Sequence, residues 1–220
     1  MAFWIYVVRN SWPEPGARRL GAMASLLAWA ALAFVLANQP WFHVLDRFPP
    51  PALRLFLFGF VATLAVGLSP LGRRMAARLP LLVLVGFQCF RLPVEGALAL
   101  GAAEGIVPPQ MTWHGHNFDV VTGALALPVA AAVRRWPALW PALWVWNLVG
   151  LGLLINVVGV AIASMPGPLQ AFTNPPVNVW VSYPPFVWLP SLLVTSALMG
   201  HLLTFRWLMA RRRGEGSATW

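Results

Sequence analysis

Apolar residues in this chain come in long blocks, not at the periodic spacing of a soluble core. Six blocks stand out, at 20–37, 52–68, 81–103, 118–133, 138–163 and 186–209. A helix needs about 20 apolar residues to cross a hydrocarbon layer of roughly 30 Å. The fourth block is the shortest and carries Pro128. In lipid every backbone N–H and C=O must find a partner within the protein, so blocks of this kind are read as helices. The pattern predicts an all-α fold: a polytopic membrane helix bundle with six transmembrane helices.

The polar residues between the blocks alternate in kind. Arginines gather at 9, 18 and 19, at 73, 74 and 78, at 134 and 135, and at 206 and 211–213. The connections at 38–51, 104–117 and 164–185 carry little positive charge: Arg47, with Arg54 just inside the second block. Short basic loops stay on the cytoplasmic side, so both termini are expected there, with the long connections outside. An even number of spans gives the same answer independently. One membrane domain over 1–220 is expected: a cytoplasmic or interfacial segment at 1–19, the six-helix bundle at 20–209, and an Arg-rich cytoplasmic tail at 210–220. The first block follows Arg18 and Arg19 as the core of a signal peptide follows its basic residues. It is long for one and starts well inside the chain, so it is read as a retained span.

Composition sharpens this reading. The chain is 59% hydrophobic and 10% charged, against about 25% charged in soluble domains. The net charge is +9 and all fifteen basic residues are arginine. Because the arginines sit at block ends, they suit topology signals and headgroup contact better than a nucleic-acid surface. The expected partners are the lipid bilayer and other membrane subunits, in a bacterial inner membrane, and no nucleic acid. Absence of lysine removes a retinal Schiff base. A bis-histidine haem would need a second histidine deep in a span, and only His201 is so placed. No other cofactor is implied. The lone Cys89 reads as a small buried apolar residue. Many of the thirteen tryptophans fall at block ends, where indoles anchor at the interface, while Trp29, Trp144 and Trp146 lie deeper. Gly96, Gly101, Gly105, Gly123, Gly150, Gly152 and Gly159 would let helices approach closely.

One stretch breaks the apolar pattern. The segment F-Q-C-F-R-L-P-V-E-G at 87–96 places Gln88, Arg91 and Glu95 on one helix face at i, i+3 and i+7. At 1.5 Å per residue Arg91 lies about 15 Å into the span, near the midplane. A charge at that depth costs about 2.5–3.5 kcal/mol to insert, so the face should look into the bundle, with Arg91 pairing Glu95 one turn on. Pro93 removes one helical hydrogen bond and should free the carbonyl of Cys89. His201, Asn147 and Asn156 are expected at similar depth. Together Gln88, Arg91, Glu95, Asn147, Asn156 and His201 form the predicted ligand site, with Asn117 and Asp119 at its outer mouth. The H-x-H of His114 and His116 is a weak metal candidate without evident further ligands, so no metal is predicted. The proline-rich connection at 164–185 is expected to fold over the outer mouth as a lid.

F-R-L-P-V-E at 90–95, M-T-x-x-G-x-N-F-D at 111–119, and P-F-V-W-L-P at 185–190 followed by His201 resemble the motifs of an uncharacterised family of bacterial six-helix integral membrane proteins with no assigned activity. The resemblance covers about 80–207. It singles out Arg91, Glu95, Asn117, Asp119 and His201, and places His114 and His116 on variable positions. It implies a fold and a shared polar site, but no chemistry.

Three functions fit. The first is binding or transport of a small anionic or amphipathic ligand from the outer side. The second is an accessory role in a larger respiratory or photosynthetic membrane complex. The third is enzymatic or redox chemistry on a lipid-soluble substrate. No phosphate-binding loop, nucleophile elbow, dinucleotide fingerprint or H-E-x-x-H is present, and no catalytic residue is assigned.

Overall fold

The computed structural model describes residues 2–12 and 16–214. Residues 13–15 and the end of the predicted tail, 215–220, lie outside the described residues. Among those described the fold is entirely helical. The helices are α1 (Ala2–Ser11), α2 (Ala17–Ala37), α3 (Pro51–Leu68), α4 (Pro70–Arg78), α5 (Leu81–Ala103), α6 (Asp119–Arg135), α7 (Ala142–Ala163) and α8 (Leu189–Arg212). Five of these, α2, α3, α5, α7 and α8, are long and apolar enough to cross a membrane.

α8 is the hub. It is the most buried of the five long helices, packs on α3, α4, α5 and α7, and carries His201 on its covered face. Its Arg206 reaches α3 and donates from Nε to the Gly67 carbonyl at 3.2 Å and from Nη2 to the Leu68 carbonyl. These carbonyls belong to the last turn of α3, where no helical donor remains for them. α2 is the least buried long helix. Two indoles hold it to the start of α8 and the residue before it: Trp29 Nε1 donates to the Ser191 carbonyl at 3.1 Å, and Trp188 Nε1 to the Ala30 carbonyl at 3.0 Å.

The basic connection at 69–79 holds a helix that apolar block length could not reveal. Ser69 caps α4, its side chain accepting from the Leu71 and Gly72 amides, and Pro70 occupies the first helical position. Gly72, Met75, Ala76 and Leu79 face inward while Arg73, Arg74 and Arg78 are exposed. The helix is amphipathic at 3–4 spacing and too short and basic to cross. α1 packs on both α2 and α4 at the same, Arg-rich end of the bundle.

Two helices depart from α geometry where the site lies. In α5, Phe87–Phe90 tightens to a 3₁₀ turn just ahead of Pro93, the local adjustment that a missing N–H invites. In α8 the first turn, Leu189–Val194, is a π-helix containing Pro190.

The fourth predicted span needs correcting. α6 has 17 residues and does not start at the outer end. Its first residue, Asp119, bonds to Arg91, and the backbone of Gly123 lies against Arg91 Cβ and the Leu92 amide. α5 runs eight residues past Glu95 to Ala103, about 12 Å further. The chain between therefore turns back into the bundle. Gly105 makes the reversal, with φ at +69°, a left-handed conformation that only glycine adopts freely. The amides of Ile106 and Val107 bond to the Gly101 carbonyl. A short 3₁₀ turn at Pro109–Met111 and the following turns then bring Asn117 down to Glu95. The fifth span also starts later than its apolar block, at Ala142, because Pro137–Leu139 forms a separate 3₁₀ turn.

Candidate functional site

Arg91, Glu95, Asn117, Asp119, Asn147 and His201 are each at most 6% exposed, so their polar atoms depend on one another for hydrogen bonds. Arg91 does not pair with Glu95, contrary to the expectation from their i, i+4 spacing. Its Nη1 lies 2.5 Å from Asp119 Oδ1, the only ion pair among the described residues. A long helical side chain points back toward the helix N-terminus, which carries Arg91 away from the residue one turn ahead. The carboxylate comes instead from the first turn of the neighbouring helix. Glu95 has its own partner: its Oε1 accepts from Asn117 Nδ2 at 2.5 Å. Asn117 ties the two acids together, because its Oδ1 accepts the Asp119 amide at 3.0 Å.

On the other side Arg91 Nη2 is 3.1 Å from His201 Nε2, and His201 Nδ1 is 2.8 Å from Asn147 Oδ1. A guanidinium only donates, so Nε2 must be the accepting nitrogen and the ring proton sits on Nδ1. Asn147 Oδ1 then accepts that proton, while Asn147 Nδ2 donates to the His201 carbonyl at 3.1 Å. Six residues from four parts of the chain thus form one continuous series: Glu95, Asn117, Asp119, Arg91, His201 and Asn147.

The helices approach closely around this series. A Cβ at Gly150 would lie 2.7 Å from both His201 Cε1 and Thr122 Cγ2, and one at Gly200 would lie 2.5 Å from Gln88 Nε2. Gly123 and Gly150, noted in the sequence only as small residues, therefore seat Arg91 and His201. Gly96, Gly105, Gly152 and Gly159 meet no side chain within 4 Å.

Two predicted residues stand differently from expectation. Gln88 is fully buried but serves α8, donating to the Ala197 carbonyl at 3.0 Å. Asn156 is exposed and donates to the His116 carbonyl at 2.6 Å, apart from the Arg91 series. It lies nine residues beyond Asn147, two and a half turns at 100° per residue, which turns it to another face. Asn117 and Asp119, placed at the outer mouth by their position before a span, belong to the centre. His114 accepts from Trp113 Nε1 and His116 lies against Phe172. Among the described residues no group of three or more metal-ligating side chains forms.

Two cavities adjoin, and one of them reaches the long connections. A cavity of about 40 Å³ is lined by Arg91, Glu95 and Asp119 with apolar neighbours from α5, α7 and α8. A second, of about 70 Å³, is almost wholly apolar and lies between α3, α5, α7 and α8, at the ends away from the Arg-rich connections. Leu98, Val157, Leu189 and Val194 line both. Two of these, Leu189 and Val194, belong to the π turn of α8. The 164–185 connection supplies Met165, Asn178 and Val181 to the apolar cavity. It is held there by bonds from the Asn178 amide to the Ser164 carbonyl (2.7 Å), from Asn178 Nδ2 to the Ala161 carbonyl (2.8 Å), and from Asn174 Nδ2 to Gln110 Oε1 (3.0 Å). No sequence signal identified these cavity walls, because apolar lining residues look like any other lipid-span residue. At the Arg-rich end the largest apolar cluster, including Leu81, Leu84, Val85, Leu143, Leu203 and Leu208, closes the bundle.

The chain belongs to a family defined by a domain of unknown function (DUF8737), which matches residues 49–209. The match runs from α3 into the last turn of α8, takes in every residue of the polar series, and leaves out α1 and α2. No curated protein and no solved structure matches the chain.

Proposed function

We propose that this DUF8737 member is a bacterial inner-membrane protein that binds a small amphipathic molecule reached from the outer side. It crosses six times with both ends in the cytoplasm. The observation that carries this reading is the junction of the two cavities: a buried polar floor at Arg91, Glu95 and Asp119 continues into an apolar chamber beneath the 164–185 connection. Apolar pockets with a few convergent polar groups are the usual form of a small-molecule site. π turns also recur at functional sites, and here one lines both cavities. An amphipathic ligand fits better than a simple anion because Asp119 already neutralises Arg91. Binding fits better than passage, since sixteen buried apolar residues close the Arg-rich end.

The test is to purify the protein in native lipid nanodiscs, extract bound small molecules and quantify them by mass spectrometry. A species present at about one per chain in the native protein is expected. It should be lost when Val157→Trp fills the wall common to both cavities. Equal lipid profiles in both samples would sink the binding reading, and co-purification of a stoichiometric protein partner instead would favour the accessory role. Topology is checked separately with periplasm- and cytoplasm-specific reporters fused at each end. Both fusions should report cytoplasm; opposite locations would refute six crossings.

A further inference from the structure

Hydrogen bonding at the polar floor narrows the ligand. Arg91 uses Nη1 on Asp119 and Nη2 on His201, leaving Nε with no partner. Glu95 uses Oε1 on Asn117, leaving Oε2 with none. Both residues are 2% exposed, and both line the 40 Å³ cavity. A buried donor or acceptor left unmatched is costly, so the pair asks for a group that accepts from one and donates to the other. A hydroxyl does both. An ammonium donates but cannot accept. A carboxylate accepts but would add a third acid to a floor that already holds two carboxyls and one guanidinium. The cavity has room for a group about the size of a water or hydroxyl. Beyond it the ligand meets Leu98, Val157, Leu189 and Val194, so the rest of the molecule is apolar. At the far end Asn178, whose Oδ1 also has no partner, stands in the cavity wall.

Resting on the binding reading above, we infer that the ligand is a neutral hydroxyl-bearing lipid, held by its hydroxyl between Arg91 Nε and Glu95 Oε2 with its apolar body under the 164–185 connection.

Three probes of equal chain length separate the possibilities: 1-dodecanol, dodecanoate and dodecylamine, each titrated into the full-length protein in phosphatidylcholine nanodiscs while the thermal midpoint is followed by tryptophan fluorescence. Dodecanol is expected to raise the midpoint saturably and the other two are not. Glu95→Gln keeps an oxygen for Asn117 but replaces the free acceptor with a donor. It should weaken dodecanol on the order of tenfold, the loss of roughly one net hydrogen bond. Val157→Trp should abolish the response. Saturable binding of dodecanoate or dodecylamine in preference to dodecanol, blocked by Val157→Trp, would overturn the hydroxyl inference while leaving the binding site standing. A dodecanol response unchanged by Glu95→Gln would overturn it too. No saturable response to any probe, or one that survives Val157→Trp, would overturn both.

Discussion

Asp119→Leu is expected to be among the most destabilising single changes in the chain. It leaves the Arg91 guanidinium, 2% exposed, without its counter-ion 2.5 Å away. Removing one member of a buried pair costs about 3–5 kcal/mol, because the survivor keeps its desolvation penalty and loses its attraction. The same change removes the carboxylate from the first turn of α6, where a negative charge favours the helix dipole. The double variant Arg91→Met with Asp119→Leu should recover most of the loss, since apolar replacements of buried pairs are often neutral. Midpoints of detergent-induced unfolding for the three proteins decide it. If the double variant is as unstable as the single, the pair is more than a charge balance, and His201, which would lose its donor on Nε2, is the next residue to change.

His201→Leu comes second. The imidazole accepts from Arg91 Nη2 and donates to Asn147 Oδ1, so leucine leaves two buried groups unmatched at once. At about 1–3 kcal/mol for each stranded group, a loss of about 2–6 kcal/mol is expected. The imidazole is packed against the backbone of Gly150 and 5.7 Å from the Trp146 ring centroid, so a branched side chain also fits poorly. Asn147→Leu alone should cost less. Combined with His201→Leu it should cost less than the sum by at least about 1 kcal/mol, as directly bonded neighbours do. Additive costs would mean that the Nδ1–Asn147 bond contributes nothing to stability.

Several elements could be read without the fold. The block at 81–103 forms α5 over the same residues, because length and hydropathy alone decide which segments can be long apolar helices. The face Gln88–Arg91–Glu95 is fully buried, because a charge in such a helix has nowhere cheaper to point. α4 is legible in principle from Ser69-Pro70 and the 72, 75, 76, 79 spacing, but its three arginines suit a basic loop equally well. The re-entry of 104–118 was not legible. It depends on Gly105, an ordinary residue in sequence, taking a left-handed conformation, and on Asn117 meeting Glu95 22 positions away.

The sequence by itself determined the helical membrane class, most of the long segments, and which buried ionisable residues required partners. These follow from local quantities: apolar length, helical periodicity and the cost of a charge in lipid. Only the tertiary structure decided who those partners are. Arg91 turned from Glu95, its neighbour on the same helix, to Asp119 and His201, which lie 28 and 110 residues away. Whether two such groups meet depends on how closely glycine-faced helices pack and where a chain reversal ends, and neither is a property of any single segment.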